Sequence, residues 1–222
     1  MRKSVIILLL SSSLYADNSI TINQVGGAIS LDINQLGSGN TIKMYDTSSY
    51  LYGDNSYDFY QNDGGVIDLW HIDGDTNAVR WGQGGKLDNA ADDTFYYDGN
   101  EGGGSYARFD IHGSGNSITG WQANSGNGDH SYSQLIFSDD NSIYVEQRGD
   151  GNKTLSITTN NDDNEVSVVQ KDSGAHVASI TLSGTAPTTL DLLQQGSTAM
   201  SYTLSQNCWT VGGCGVSITQ GQ

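Results

Sequence analysis

The amino-acid sequence predicts an all-β chain built as a β-solenoid, a stack of strand-turn-strand rungs with two facing parallel sheets, and three observations carry that reading. A short motif returns along the chain: Asn, two apolar residues at alternate positions, then Gln. A Gly stands two residues after that Gln at five places, Gln24-Gly26, Gln35-Gly37, Gln83-Gly85, Gln147-Gly149 and Gln194-Gly196. Composition agrees, because 222 residues with 36% hydrophobic, 29 Gly and one Pro hold too little apolar mass for a helical bundle or an ordinary α/β core, and so much Gly loosens helices.

The first residues stand apart from the repeat. Arg2 and Lys3 precede the apolar run Val5 to Leu10, the small Ser11 to Ser13 and then Leu14-Tyr15-Ala16, the layout of a secretory signal peptide cleaved after Ala16. The run is too short to span a bilayer, and no later segment is apolar enough to do so. Residues 1–16 are therefore expected to be removed, and residues 17–222 to form one exported repeat domain without membrane insertion. The net charge is −16, from 9 Lys and Arg against 25 Asp and Glu, and becomes about −18 once Arg2 and Lys3 are gone. Such a chain repels phosphate, which argues against nucleic acid or an anionic membrane surface as its partner.

The motif reads Asn18-Ile20-Ile22-Gln24, Asn55-Tyr57-Phe59-Gln61, Asn77-Val79-Trp81-Gln83, Asn141-Ile143-Val145-Gln147 and Asn164-Val166-Val168-Gln170. In a further copy, Asn116-Ile118-Gly120-Gln122, Gly replaces one apolar member. Leu31-Ile33-Gln35, Leu190-Leu192-Gln194, Tyr202-Leu204-Gln206 and Val216-Ile218-Gln220 keep the apolar pair and the Gln, while Asn40-Ile42-Met44-Asp46, Ile67-Leu69-His71 and His176-Ala178-Ile180-Leu182 end differently. Strict alternation is the period of a half-buried strand. Asn and Gln share the parity of the apolar residues, so they point inward. An unpartnered buried amide costs about 1–3 kcal/mol, and stacking identical strands removes that cost by setting Asn on Asn and Gln on Gln. From Asn141 through Asn152 and Asn164 to His176 the step is 11 or 12 residues, so two strands and their corners make a turn of roughly 23 residues, and some eight turns at ~4.8 Å per strand make a rod of roughly 40 Å. Three stretches rich in Gly, Asp and Asn break the period near 47–54, 84–106 and 123–130 and read as longer loops on one edge of the rod.

At this point the residues resemble a known family. The alternation Ser/Asn-x5-Gln-x-Gly-x2-Asn-x5-Gln is similar to the curlin repeat of the curli amyloid subunits. Gln35-Leu36-Gly37-Ser38-Gly39-Asn40 and Gln147-Arg148-Gly149-Asp150-Gly151-Asn152 match its Gln-x-Gly-x-x-Asn corner in full, and the resemblance covers nearly all of residues 17–222. It implies a monomer secreted to the cell surface that polymerises end to end into extracellular fibres for cell adhesion and biofilm matrix, with itself as main partner and a nucleator subunit and surface or matrix ligands as others.

Assembly would proceed through the ends, where a solenoid leaves a strand with unpaired N–H and C=O groups. Gln24 and Gln35 at one end and Gln206 and Gln220 at the other are the expected intermolecular ladder, with Ile20, Ile22, Leu31 and Ile33 filling the dry interior. Asp32, Asp58, Asp68 and Glu146 fall on outward parities, so stacked like charges are expected to slow assembly and salt or acid to quicken it. Exposed aromatics such as Tyr60, Trp70, Tyr144, Tyr96 and Tyr97 fit either contact with sugars and surfaces or cross-strand pairs that stiffen the rod.

Other chemistry finds little support. Cys208 and Cys214 enclose five residues; in an exported chain they read as a disulfide, and two thiols are too few for a closed zinc site. Asp73-Gly74-Asp75-Thr76-Asn77 opens like a calcium loop but lacks the later Glu, and Asp92-Asp93, Asp139-Asp140 and Asp162-Asp163 read as solvated turns. His71, His112, His130 and His176 lack ligand spacing, with His71 and His176 at ladder positions. No nucleophile-base arrangement or phosphate loop is visible, so neither an enzyme nor a cofactor is expected. An ice-binding face would show regular outward Thr, whereas outward positions here mix Ser, Asp, Asn, Tyr and Arg. The expected function is an adhesive, self-assembling fibre subunit; the alternative is a monomeric or virion-attached solenoid whose loops bind a surface ligand.

Overall fold

The computed structural model describes residues 5–10, 19–23, 26–36, 41–45, 51–62, 66–73, 77–83, 105–123 and 129–221. Among them every regular element is a strand. One parallel sheet stacks β1 (Val5–Leu10), β3 (Gly26–Leu36), β5 (Leu51–Asn62), β7 (Ala78–Gln83), β9 (Ser117–Ala123), β11 (Ser142–Arg148), β13 (Glu165–Gln170), β15 (Thr188–Gln195) and β17 (Cys214–Gly221) in that order. The other stacks β2 (Ser19–Asn23), β4 (Thr41–Tyr45), β6 (Val66–Asp73), β8 (Ser105–His112), β10 (His130–Ile136), β12 (Lys153–Thr159), β14 (His176–Gly184) and β16 (Met200–Cys208). The chain alternates between an odd and an even sheet, each pair of strands forming one rung, and the fold is a β-solenoid of two parallel sheets. No helix among the described residues is long and apolar enough to cross a membrane.

Alternation does the work that periodicity predicts. In β10, β12 and β13 buried positions alternate with more exposed ones throughout, and the inner faces of both sheets close on one core running from Ile33 to Leu192. Corners are tight because particular residues accept left-handed backbone. At one edge Gly115, Asp140 and Asp163 sit at φ 70°, 55° and 60°, and at the other Gly149, Asp172 and Gly196 at 95°, 69° and 107°. Asp is among the few side chains that enter this region without large cost. At Gly149 the space is also closed, since a Cβ there would lie 2.4 Å from the Asp172 carbonyl oxygen.

Several expectations shift. The stretch near 47–54 is strand from Leu51 onward, Ser105 and Tyr106 already belong to β8, Ala123 ends β9 and His130 opens β10; residues 84–104 and 124–128 lie outside the described set. A register shift between Leu69 and His71 sets His71 opposite Asp110 and Ile72 opposite Ile111, so the register position expected for His71 falls one residue later. Val5–Leu10, the apolar part of the expected leader, is β1 and pairs in parallel with Ser30–Gln35 of β3. An open parallel edge offers unpaired N–H and C=O groups that any adjacent extended apolar segment satisfies.

The Gly in Asn116-Ile118-Gly120-Gln122 has a steric reason. A Cβ on Gly120 would lie 1.9 Å from the ring of Trp81 on the rung before, and one on Gly82 would lie 2.0 Å from the ring of Trp121. Each Trp lies over a Gly on the neighbouring strand, Trp81 inside and Trp121 on the outer side. Trp81 also stacks on Tyr132 at 4.6 Å and meets Phe109 edge-on at 5.1 Å, an arrangement that fills the core where the aliphatic repeat is interrupted. Gly120→Val, which restores the apolar member of the motif, should therefore destabilise the fold by about 3 kcal/mol through overpacking. Trp81→Val in the same chain should recover at least half of that loss in urea unfolding, because the two side chains compete for one space.

Candidate functional site

The odd strands bring the motif's Gln residues into one column. Backbone register sets Gln35, Gln61, Gln83, Gln122, Gln147, Gln170, Gln194 and Gln220 beside one another in succession. From Gln122 onward the side chains form a continuous ladder. The Nε2 of Gln122 donates to Oε1 of Gln147 at 2.7 Å, Gln147 to Gln170 at 2.9 Å, Gln170 to Gln194 at 2.8 Å and Gln194 to Gln220 at 2.8 Å. These partners lie 23 to 26 residues apart, which is the length of a turn. The second Nε2 hydrogen crosses to the facing strand of the same rung: Gln122 donates to the Tyr106 carbonyl at 3.3 Å, and Gln147 to that of Ser131 at 3.2 Å. Because a backbone carbonyl can only accept, this second bond fixes which end of each amide is nitrogen.

The Asn ladder runs the other way. Nδ2 of Asn116 donates to Oδ1 of Asn77 at 3.1 Å, Asn141 to Asn116 at 2.9 Å and Asn164 to Asn141 at 2.8 Å. Each Oδ1 also accepts the next rung's backbone N–H, ending with Thr188 N–H on Asn164 at 2.8 Å. The ladder stops there because Thr188 and Cys214 occupy the next two equivalent positions. Asn55 lies one residue before Ser56, which pairs with Ala78, so register sets it beside Asn77. Asn18, Gln24 and Asn40 lie outside the described residues.

Two expected members sit elsewhere. Asn152 is exposed at a corner, where its Oδ1 accepts the Asp129 N–H at 3.0 Å, because the inward parity of β12 begins one residue later, at Lys153. Gln206 belongs to the even sheet, where it follows Ile136, Thr159 and Leu182 in register, outside the Gln ladder. Lys153, His130 and His176 had no role in the sequence reading beyond the ladder position of His176, yet they form an inward column of their own. The fully buried Lys153 ammonium donates to the carbonyls of Gly151, Asp172 and Gly174 at 2.8, 2.8 and 2.9 Å. His130 and His176 Nε2 meet the Gly149 and Lys171 carbonyls at 3.0 and 2.9 Å. The parity of Lys153-Leu155-Ile157-Thr159 was the available signal.

The acidic stripe also differs from expectation. Glu146 is only 3% exposed, with Arg148 Nε 2.9 Å from one carboxylate oxygen and the Tyr144 hydroxyl donating to the other at 3.0 Å. Burial, reinforced by Glu146, pushes Tyr144 up to about 12. Asp68 accepts from the Tyr106 hydroxyl at 3.3 Å and lies in register between Lys43 and Arg108. Asp32 and Asp58 are neighbours, but Arg80 follows Asp58. Opposite charges thus interleave with the acids in these columns, and exposed carboxylates stand at the corners, as at Asp139, Asp140, Asp162 and Asp163, and on the odd sheet at Glu165 and Asp191.

At the C-terminal rung the interior is open. Tyr202, Leu204, Val216 and Ile218 are only partly buried against the core. Cys208 and Cys214 form a disulfide that closes the loop between β16 and β17. That loop carries Trp209 and Val211, 68% and 100% exposed, and Gly213 in it is braced beside the Pro187 carbonyl of the rung before. Compared with protein-family models, curated proteins and solved structures, the chain matches none.

Two outcomes test the site. Gln147→Leu removes the acceptor of Gln122 Nε2 and the donor to Gln170 Oε1, and should cost about 2–4 kcal/mol of unfolding free energy, more than an exposed Gln. Burial, with Lys153 adding to it, pushes His130 down to about 4, and burial also lowers His176. The folded state then refuses a proton that the unfolded chain accepts below 6.5, so stability is lost as pH falls from about 6.5 toward 4. The His130 share is about 3 kcal/mol, and His130→Gln should flatten the slope of stability against pH by that amount.

Proposed function

We propose that the chain is an extracellular structural protein that assembles end to end into curli-like fibres for cell adhesion and biofilm matrix. The observation that carries the reading is the open C-terminal rung. Its inner residues are partly exposed, β16 and β17 are the last strands of their sheets, and Gln220 has received the ladder's last hydrogen bond through its oxygen, leaving its Nε2 directed to whatever stacks next. A second copy offers strands of matching period. Because this contact joins unlike ends, it continues rather than closes, as a heterologous interface does. Cleavage after Ala16 would remove β1 and free the outer edge of β3. The exposed Trp209 and Val211 favour the second reading, a solenoid module whose stapled loop meets a surface ligand.

The test uses residues 17–222 at micromolar concentration, followed by thioflavin fluorescence and fibre diffraction. A lag and growth with a ~4.8 Å meridional reflection are expected. Val216→Asp/Ile218→Asp, which puts charge on the open rung, should keep the strand signal of the monomer and lower the elongation rate at least tenfold. A wild-type chain that stays a folded monomer would sink the fibre reading and leave the loop-binding one, and a double variant that elongates normally would move growth away from this rung.

A further inference from the structure

We propose that the outer face of the even sheet over β10, β12, β14 and β16 pairs assembled stacks side by side, its occupant being the same face of a second copy of this chain; this rests on the fibre reading. The face is set apart by charge. In a chain of net charge −16, the fourteen outward positions of these four strands, from Ser131 to Asn207, together with Phe137 and Asn160 just past the ends of β10 and β12, hold no Asp, Glu, Lys or Arg, and thirteen of these sixteen residues are Ser, Thr or Asn. The exceptions are Leu135, Phe137 and Val177, of which Phe137 and Val177 are well exposed. The outer side of the odd sheet instead carries Glu146, Arg148, Glu165 and Asp191. Exposed carboxylates of Asp139, Asp140, Asp162 and Asp163 line one border of the neutral face, and Asp129 and Asp150 line the other.

The four strands pair without a register shift, so small side chains form unbroken columns, such as Ser156, Ser179 and Thr203. Two such surfaces interdigitate at the ~10 Å spacing of stacked sheets. Copies of an acidic protein approach with least repulsion through a broad face free of charge.

Area decides when pairing occurs. Four strands at ~4.8 Å and seven residues at ~3.3 Å give roughly 440 Å² per copy, or roughly 900 Å² for both, below the ~1,200 Å² of a stable interface. Two monomers therefore pair only weakly, whereas stacks multiply the area with every added chain. The acidic borders oppose contact and are screened over ~8 Å at physiological salt, so salt promotes pairing.

The experiment compares wild-type residues 17–222 with Thr154→Glu/Ser179→Glu on the face and Ser142→Glu/Ser167→Glu on the odd sheet as a control. Elongation is followed by the ~4.8 Å reflection and thickness by mass per length in scanning transmission electron microscopy. Wild type and control should show twice the mass per length of a single stack, and the face variant should elongate but fall to the single value. Single wild-type stacks, or a face variant that remains double, would overturn the proposal, and single stacks that slow ice growth would assign the face to ordered water instead. If no fibre forms, the fibre reading fails by itself. Pairing is then read by sedimentation equilibrium near millimolar concentration, where a salt-promoted dimer lost in the face variant supports it and a monomer at all salt concentrations overturns it.

Discussion

A primary amide buried in a protein interior must find partners for both its hydrogens and its oxygen, and this requirement orders the whole chain. Each odd strand from β9 to β17 brings a Gln inward, and another amide one strand away supplies the partners that the interior otherwise lacks; the buried Gln134 of β10, set between Phe109 and Ile157, has instead the Tyr132 hydroxyl on its oxygen. The ladder fixes the turn length, since partners must recur in register, and it excludes slipped pairings, since a shift of one residue sends every Gln outward. The remainder of the sequence accommodates it: left-handed corners at Asp140 and Asp163, alternation in the strands, and a core one side chain thick on each sheet.

The amides also explain why the composition looks poor for a folded protein. A helical bundle draws cohesion from apolar volume, whereas here hydrogen bonds along the stack share the task with apolar columns such as Ile118, Ile143, Val166 and Leu190. Where the aliphatic columns break, Trp81, Phe109 and Tyr132 occupy the volume. The carboxylates then lie at the corners and on outer faces, and the buried Lys153 ammonium is held in the interior by three backbone carbonyls.

Much of this was legible in the sequence, and what was not has physical causes. From Asn55 to Gln170 the full Asn and Gln motif marks odd strands, although its first copy, Asn18 to Gln24, spans the even strand β2, and its period yields parallel stacking directly. The two Cys, six residues apart, likewise announce their bond. The even strands β8 and β10 escaped because the motif does not end them in Gln; Ala107-Phe109-Ile111 and Tyr132-Gln134-Ile136 show only alternation. Lys153 was hidden by Asn152, whose match to a corner pattern outweighed strand parity by one position. The bulge before His71 and the void that Gly120 leaves for Trp81 depend on neighbours many residues away, and no local pattern contains them. Glu146 was placed outward correctly by parity, but burial on an outer face depends on Tyr144 and Arg148 beside it.

The opposed direction of the two ladders has an electrostatic consequence. In an α-helix every peptide dipole points the same way, and partial charge accumulates at the two termini. Along this stack the Gln amides point their N–H bonds toward the C-terminal rung and the Asn amides toward the N-terminal one. Their dipoles subtract over the rungs they share, while a parallel sheet adds only a small net moment of its own. Lengthening the stack therefore separates little charge between its tips, and the field at an end is set by the side chains of the last rung and not by how many rungs lie behind it.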